Sequence, residues 1–177
     1  MKVRLRVVLA AALAAAGPFA GSVVLAQSRP RPDVASAFRP CARADLIGAW
    51  QVLRMGVVPG YTVDRADPAY SAHQRYVFDA NANLYHLAST KTITPDEQRA
   101  LLAATPPVTW AVDEAGRLLT QRAGEPRLDN STCQVVLVKT RDSKSDIPPG
   151  PGDVLLTLFA DGKPVVRRLL RRVDKLP

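Results

Sequence analysis

Few residues in this 177-residue chain have a type and spacing that could do chemistry. The only thiols are Cys41 and Cys133, and the only imidazoles are His73 and His86. Two cysteines are too few for a zinc ribbon or finger, and no His or Asp spacing completes a metal set around them. We therefore expect no metal site. Tyr85-His86, with Tyr76 nearby in sequence, has the residue types that can ligate iron. On paired strands, however, Tyr76 and Tyr85 read as cross-strand packing partners, so no cofactor is expected. Asp142, Ser143, Ser145 and Asp146 lie in a Pro/Gly-rich stretch with no His beside them, so nothing selects a Ser/His/Asp site. There is no glycine-rich phosphate loop and no His-x-x-x-His pair. Asn130-Ser131-Thr132 has the form of a glycosylation acceptor and reads as a polar turn. The residues point to binding rather than catalysis.

Charge is more informative. Lys+Arg number 24 against 16 Asp+Glu, and the excess is concentrated at the end of the chain. Residues 163–177 hold Lys163, Arg167, Arg168, Arg171, Arg172 and Lys175 against the single acid Asp174. Arg167, Arg168, Arg171 and Arg172 are the expected basic patch, able to meet an acidic protein or an anionic membrane surface. A solvated basic edge that discourages strand pairing is the plainer reading of the same residues. No aromatics interleave with the arginines, so nucleic acid is not an expected partner.

The N-terminus sets the compartment. Lys2, Arg4 and Arg6 precede an uncharged, alanine-rich run over residues 7–26, broken by Gly17-Pro18 and closed by Val24-Leu25-Ala26. That plan predicts a signal peptide over residues 1–26 and export to the periplasm or beyond. Its removal lowers the formal charge from +8 by the three residues Lys2, Arg4 and Arg6. Residues 27–43, with Arg29-Pro30-Arg31-Pro32, read as an extended arm, and residues 44–177 as one domain. In an oxidising compartment the isolated pair Cys41 and Cys133 predicts one disulfide. A hydrophobic content of 47% with 23% charged residues excludes wholesale disorder.

The elements that must position these residues are mostly strands. Expected strands cover residues 46–53, 74–79, 84–87, 108–112, 118–121, 134–139, 154–159 and 165–173, separated by Asp/Asn/Gly/Pro turns. One helix is signalled over residues 95–104. Thr94 caps it, Pro95 suits its first position, and Glu97 completes a capping box. Eight short strands and one helix predict an all-β sandwich or closed barrel. Residues 165–173 are ambiguous: their apolar members share one helical arc, whereas the preceding Asp161-Gly162 predicts a hairpin and a strand. The strand is the reading adopted.

The segment Leu46-Ile47-Gly48-Ala49-Trp50 resembles the Gly-x-Trp opening of lipocalin-like barrels. The order that follows is similar to bacterial lipocalin-like domains over about residues 44–174. It comprises the Tyr76-Val77-Phe78-Asp79 hairpin, the Thr94-Pro95-Asp96-Glu97 helix, residues 108–121, and a closing strand ending Leu170-Arg171-Arg172-Val173. The resemblance implies an antiparallel up-and-down barrel of about eight strands. It also implies that Gly48 and Trp50 close the barrel floor, with Arg171 or Arg172 stacked on the indole. A small apolar or amphipathic ligand would sit in the barrel mouth, with Tyr76, Phe78, Tyr85 and Trp110 as candidate lining. Secreted peptidase inhibitors of similar architecture, with Gly-x-Trp, one disulfide and an active N-terminal arm, give the alternative of a protein-interaction module. In that pattern both cysteines follow Gly-x-Trp, whereas here Cys41 precedes it.

Overall fold

A computed structural model describes residues 37–173, apart from residues 65, 127 and 140–145. The expected signal peptide, residues 27–36 of the arm, and Asp142, Ser143 and Ser145 lie outside the described residues. Among the described residues nine strands form: β1 (Phe38–Pro40), β2 (Gly48–Val57), β3 (His73–Phe78), β4 (Asn83–Ser89), β5 (Val108–Val112), β6 (Arg117–Gln121), β7 (Leu128–Val136), β8 (Val154–Ala160) and β9 (Lys163–Val173). Two α-helices, α1 (Arg43–Leu46) and α2 (Pro95–Ala104), and a 3-10 turn at Pro68–Tyr70 accompany them. From β2 to β9 each strand pairs antiparallel with the next, and β9 returns to β2. The architecture is a closed eight-stranded up-and-down barrel, in which β4 and β5 meet only at Asn83–Leu84 against Val108–Thr109. The short β1 is additional and lies along β7 at Gln134, Val135 and Val136, beyond the part of β7 that pairs with β6.

β9 is a strand because both its edges are paired, to β2 and to β8. Its alternation puts Val166, Arg168, Leu170 and Arg172 on the face toward the lumen, and Val165, Arg167, Leu169 and Arg171 outside. An apparently poor core pattern is tolerated because each inward arginine has its own surroundings. Two expectations differ. The strand expected at 134–139 begins at Leu128 and ends at Val136, so Asn130-Ser131-Thr132 is strand rather than turn, paired with Leu119, Leu118 and Arg117. Phe38–Pro40 forms β1 within the expected arm, and Arg43–Leu46, from the arm's last residue to the expected start of the first strand, forms α1; both are too short to show a period.

α2 begins with the expected capping box: Glu97 N–H donates to Thr94 Oγ1 (3.2 Å) and Thr94 N–H to the Glu97 carboxylate (2.9 Å). It packs outside the barrel on a cluster of Ala49, Val77, Leu87 and Ile93, joined by Tyr85, Leu101 and Leu102. Arg75 ties sheet to helix, donating to Gln98 Oε1 and to the Ile93 carbonyl.

The floor is built around Trp50, which is 2% exposed. Its Nε1–H donates to the Leu46 carbonyl at 2.7 Å, and the Arg172 guanidinium lies 4.7 Å over its ring. Arg172 also donates to the Asp45 and Ile47 carbonyls, each at 2.8 Å. Three successive carbonyls ending α1 are thus satisfied by one indole and one guanidinium, where a helix end would otherwise leave orphans. Gly48 permits this: its φ is +132°, and a Cβ there would stand 2.9 Å from Arg172 Nη1. The Cys41–Cys133 disulfide, with 5.4 Å between Cα atoms, fastens the chain entering α1 to β7. Cys41 N–H donates to the Cys133 carbonyl beside it (3.1 Å).

Two stability predictions follow from this floor. Trp50→Ala should cost about 3–5 kcal/mol through lost packing, and Gly48→Ala about 1–3 kcal/mol through backbone strain. Urea midpoints read both, and an unchanged midpoint would show that the floor tolerates their loss. Replacing both cysteines by alanine should lower stability by up to ~4–5 kcal/mol, the chain-entropy ceiling for a loop this long. Alkylation of the unreduced native protein should label neither cysteine; two labelled thiols by mass spectrometry would contradict the bridge.

Candidate functional site

The lumen is filled unevenly. At the floor end, Trp50, Phe78 and Trp110 belong to one buried core. Phe78 meets Trp110 edge-on (5.0 Å, 79°), and Arg43 lies 4.7 Å over the Trp110 ring. Farther along, the inward side chains are smaller or polar, and a cavity of about 260 Å³ remains. Leu84, Val108, Leu118 and Leu156 give it apolar walls, Tyr76, His86 and Thr120 polar ones. The exposed residues Gln121, Arg122, Asp129 and Asn130 stand at its rim.

Of the four expected lining residues, only Tyr76 borders this cavity. Phe78 and Trp110 lie in the floor core, and Tyr85 packs outside, with the cluster beneath α2. Register is the reason. Tyr76 is opposite His86 and Val77 opposite Tyr85, so the Tyr76–Tyr85 pairing expected from sequence does not form. Instead the Tyr76 ring stacks on His86 at 4.6 Å and 18°. His73, opposite Ser89 at the start of β3, is not among the cavity-lining residues.

His86 is held neutral. Its Nε2 lies 3.0 Å from Gln74 Oε1, while Gln74 Nε2 donates to the Ser71 carbonyl at 2.7 Å. With the amide so oriented, the network assigns the imidazole proton to Nε2. Burial, and then the nearby positive charge of Arg168, push the His86 pKa down from 6.5 to about 4, with Asp67 pulling the other way and Arg122 adding least. Burial likewise raises the Tyr76 phenol above its usual range, with Arg168 acting in the other direction.

The arginines expected to form one basic patch are separated. Arg167 is exposed on the outer face. Arg171 forms a two-pronged pair with the buried Asp153 carboxylate (2.9 and 2.8 Å), which also accepts from Gly150 N–H. Arg172 sits over Trp50 in the floor. Arg168 is 2% exposed and borders the cavity, its Nη2 donating to the Ala69 carbonyl at 2.8 Å. Neither Arg168 nor His86 is among the expected lining residues. The signal was the alternation along β9: with Arg172 inward on Trp50, Arg168 four residues earlier must also face inward.

A second hollow, of about 540 Å³, lies on the outer surface among Val136, Leu155, Leu169 and Arg167. Its polar lining carries no buried group without a partner among the described residues, so the lumen is the better candidate site. Comparison with protein-family models, with curated proteins and with solved structures finds no match for this chain. Among the described residues no helix is long and apolar enough to cross a membrane.

The depressed His86 pKa makes stability depend on pH in a definite direction. The unfolded imidazole takes up its proton near 6.5, the folded one only near 4. The folded state therefore binds fewer protons in that interval, and stability is full above it and falls as pH drops through it. Between about pH 7.5 and about pH 4.5 the loss from this residue should be roughly 2–3 kcal/mol. His86→Gln should flatten that part of the urea-midpoint profile, and a variant with the wild-type slope would refute the assignment.

Proposed function

We propose that the protein is an exported, non-enzymatic, lipocalin-like binding protein that holds a small amphipathic molecule in the barrel lumen. The observation that carries this reading is the cavity of about 260 Å³ inside a closed barrel, apolar along Leu84, Val108, Leu118 and Leu156 and polar at Tyr76 and His86. Small barrels recurrently use such spaces for ligands. The volume is just below the roughly 300–1,000 Å³ usual for drug-sized ligands, which favours a compact molecule. Export is supported by the disulfide, since such bonds persist mainly in oxidising compartments.

The test uses 1-hexanol as a neutral amphipathic probe, followed by amide chemical shifts. Shifts should concentrate at Leu84, His86, Val108, Leu118 and Leu156, and should vanish in Leu118→Trp, which fills the cavity. Shifts that are absent, or centred on Val136, Leu155 and Leu169, would overturn the reading.

A further inference from the structure

The lumen contains a fixed positive charge that has no counterion among the described residues. Arg168 is 2% exposed, projecting inward from the middle of β9. Among the described residues no carboxylate forms an ion pair with it. One guanidinium nitrogen, Nη2, donates to the Ala69 carbonyl, and the group lies 5.9 Å from the Tyr70 ring centroid. Its Nε–H is buried and has no hydrogen-bond partner. A guanidinium is charged at every pH a protein tolerates and carries five donors. Leaving such a group buried and under-satisfied is costly, and the cost ends when an acceptor of opposite charge arrives.

The neighbours are suited to that arrival. His86 and Tyr76, the polar groups on the facing strands, carry no negative charge that would compete for Arg168. Asp129, the acid at the rim, is exposed rather than buried with Arg168. Asp67, on the turn before β3, acts on His86 through space without pairing with Arg168. Resting on the reading of the lumen as a binding site, we infer that Arg168 is an anion-recognition residue and that the ligand is a small monocarboxylate. Its carboxylate pairs with the Arg168 guanidinium, and its short apolar tail lies against Leu84, Val108, Leu118 and Leu156. A carboxylate presents two oxygens to the planar fork of an arginine, and a charge-assisted bond of this kind is about twice as strong as a neutral one. An ammonium headgroup would be repelled. A hydroxyl would supply an acceptor but leave the charge uncompensated.

The experiment compares hexanoate, 1-hexanol and hexylammonium by titration at about pH 7.5 on the chain without residues 1–26, while the Arg168 Nε–H resonance is followed. Hexanoate should bind about ten- to a hundredfold more tightly than 1-hexanol, hexylammonium most weakly, and hexanoate alone should move the Arg168 Nε–H signal. Arg168→Gln should erase the preference, and Arg168→Lys should keep part of it. The wild-type resonance decides the point even if both variants misfold. Equal binding of hexanoate and 1-hexanol would mean that solvent serves Arg168 as well as an anion does, overturning this inference while leaving the lumen a binding site. Preferred binding of hexanoate with an unmoved Nε–H signal would place the anion elsewhere and overturn it too. No binding of any probe would remove the underlying reading as well.

Discussion

Arg172 ties the last strand of the barrel to its opening turn. Arg172 lies at the end of the last strand, yet it is spent on the beginning of the barrel: over the Trp50 ring, against the Asp45 and Ile47 carbonyls, and across Gly48. Closing an antiparallel sheet requires the last strand to find the first in one register, and the position of Arg172 allows little freedom. Shifting β9 by one residue against β2 would exchange its inward set for the outward one, moving Arg172 off the indole and exposing Leu170. The disulfide acts at the same end from the other side, fixing the chain before α1 to β7. Floor, register and closure are therefore coupled through a few contacts among residues distant in sequence.

That coupling decides what the arginines of β9 can do. In sequence, Arg167-Arg168 and Arg171-Arg172 are two identical doublets that suggest a basic surface. In the barrel each doublet is split by the two-residue period of a strand, one member in and one out. The outward pair are both exposed but differ, since Arg171 pairs with Asp153 whereas Arg167 forms no ion pair among the described residues. The inward pair differ too, since Arg172 has three satisfied contacts and Arg168 a vacant donor. Four identical residues end in four environments, none predictable from charge alone.

The barrel was legible where local chemistry fixes local structure. Thr94, Pro95 and Glu97 specify the start of α2, and the Asp/Asn/Gly turns separate most strands. Gly48 and Trp50 drew attention through their resemblance to a barrel opening, and the structure sets both against Arg172. The lining of the site was not, because it depends on parity. Tyr85 and His86 are adjacent, and which one faces inward is set by a pairing with β3 that no local pattern specifies. Likewise α1 is a single turn whose Leu46 carbonyl is met locally by Trp50 but whose Asp45 and Ile47 carbonyls are met only by Arg172, remote in sequence.

The two inward arginines differ in what their removal would do. Arg172 is fully engaged, and deleting it would orphan two carbonyls and uncover an indole. Arg168 is engaged at one nitrogen and lines an incompletely filled lumen. Replacing a buried, poorly compensated charge by an apolar side chain of similar length is often neutral or stabilising, by as much as roughly 1–4 kcal/mol. An apolar Arg168 would also suit the leucines around it, so a barrel shaped only for stability would have little use for the guanidinium. Its cost is coherent in a barrel that must receive a negative charge at that point, because the free-energy deficit of the empty site becomes part of the driving force for binding.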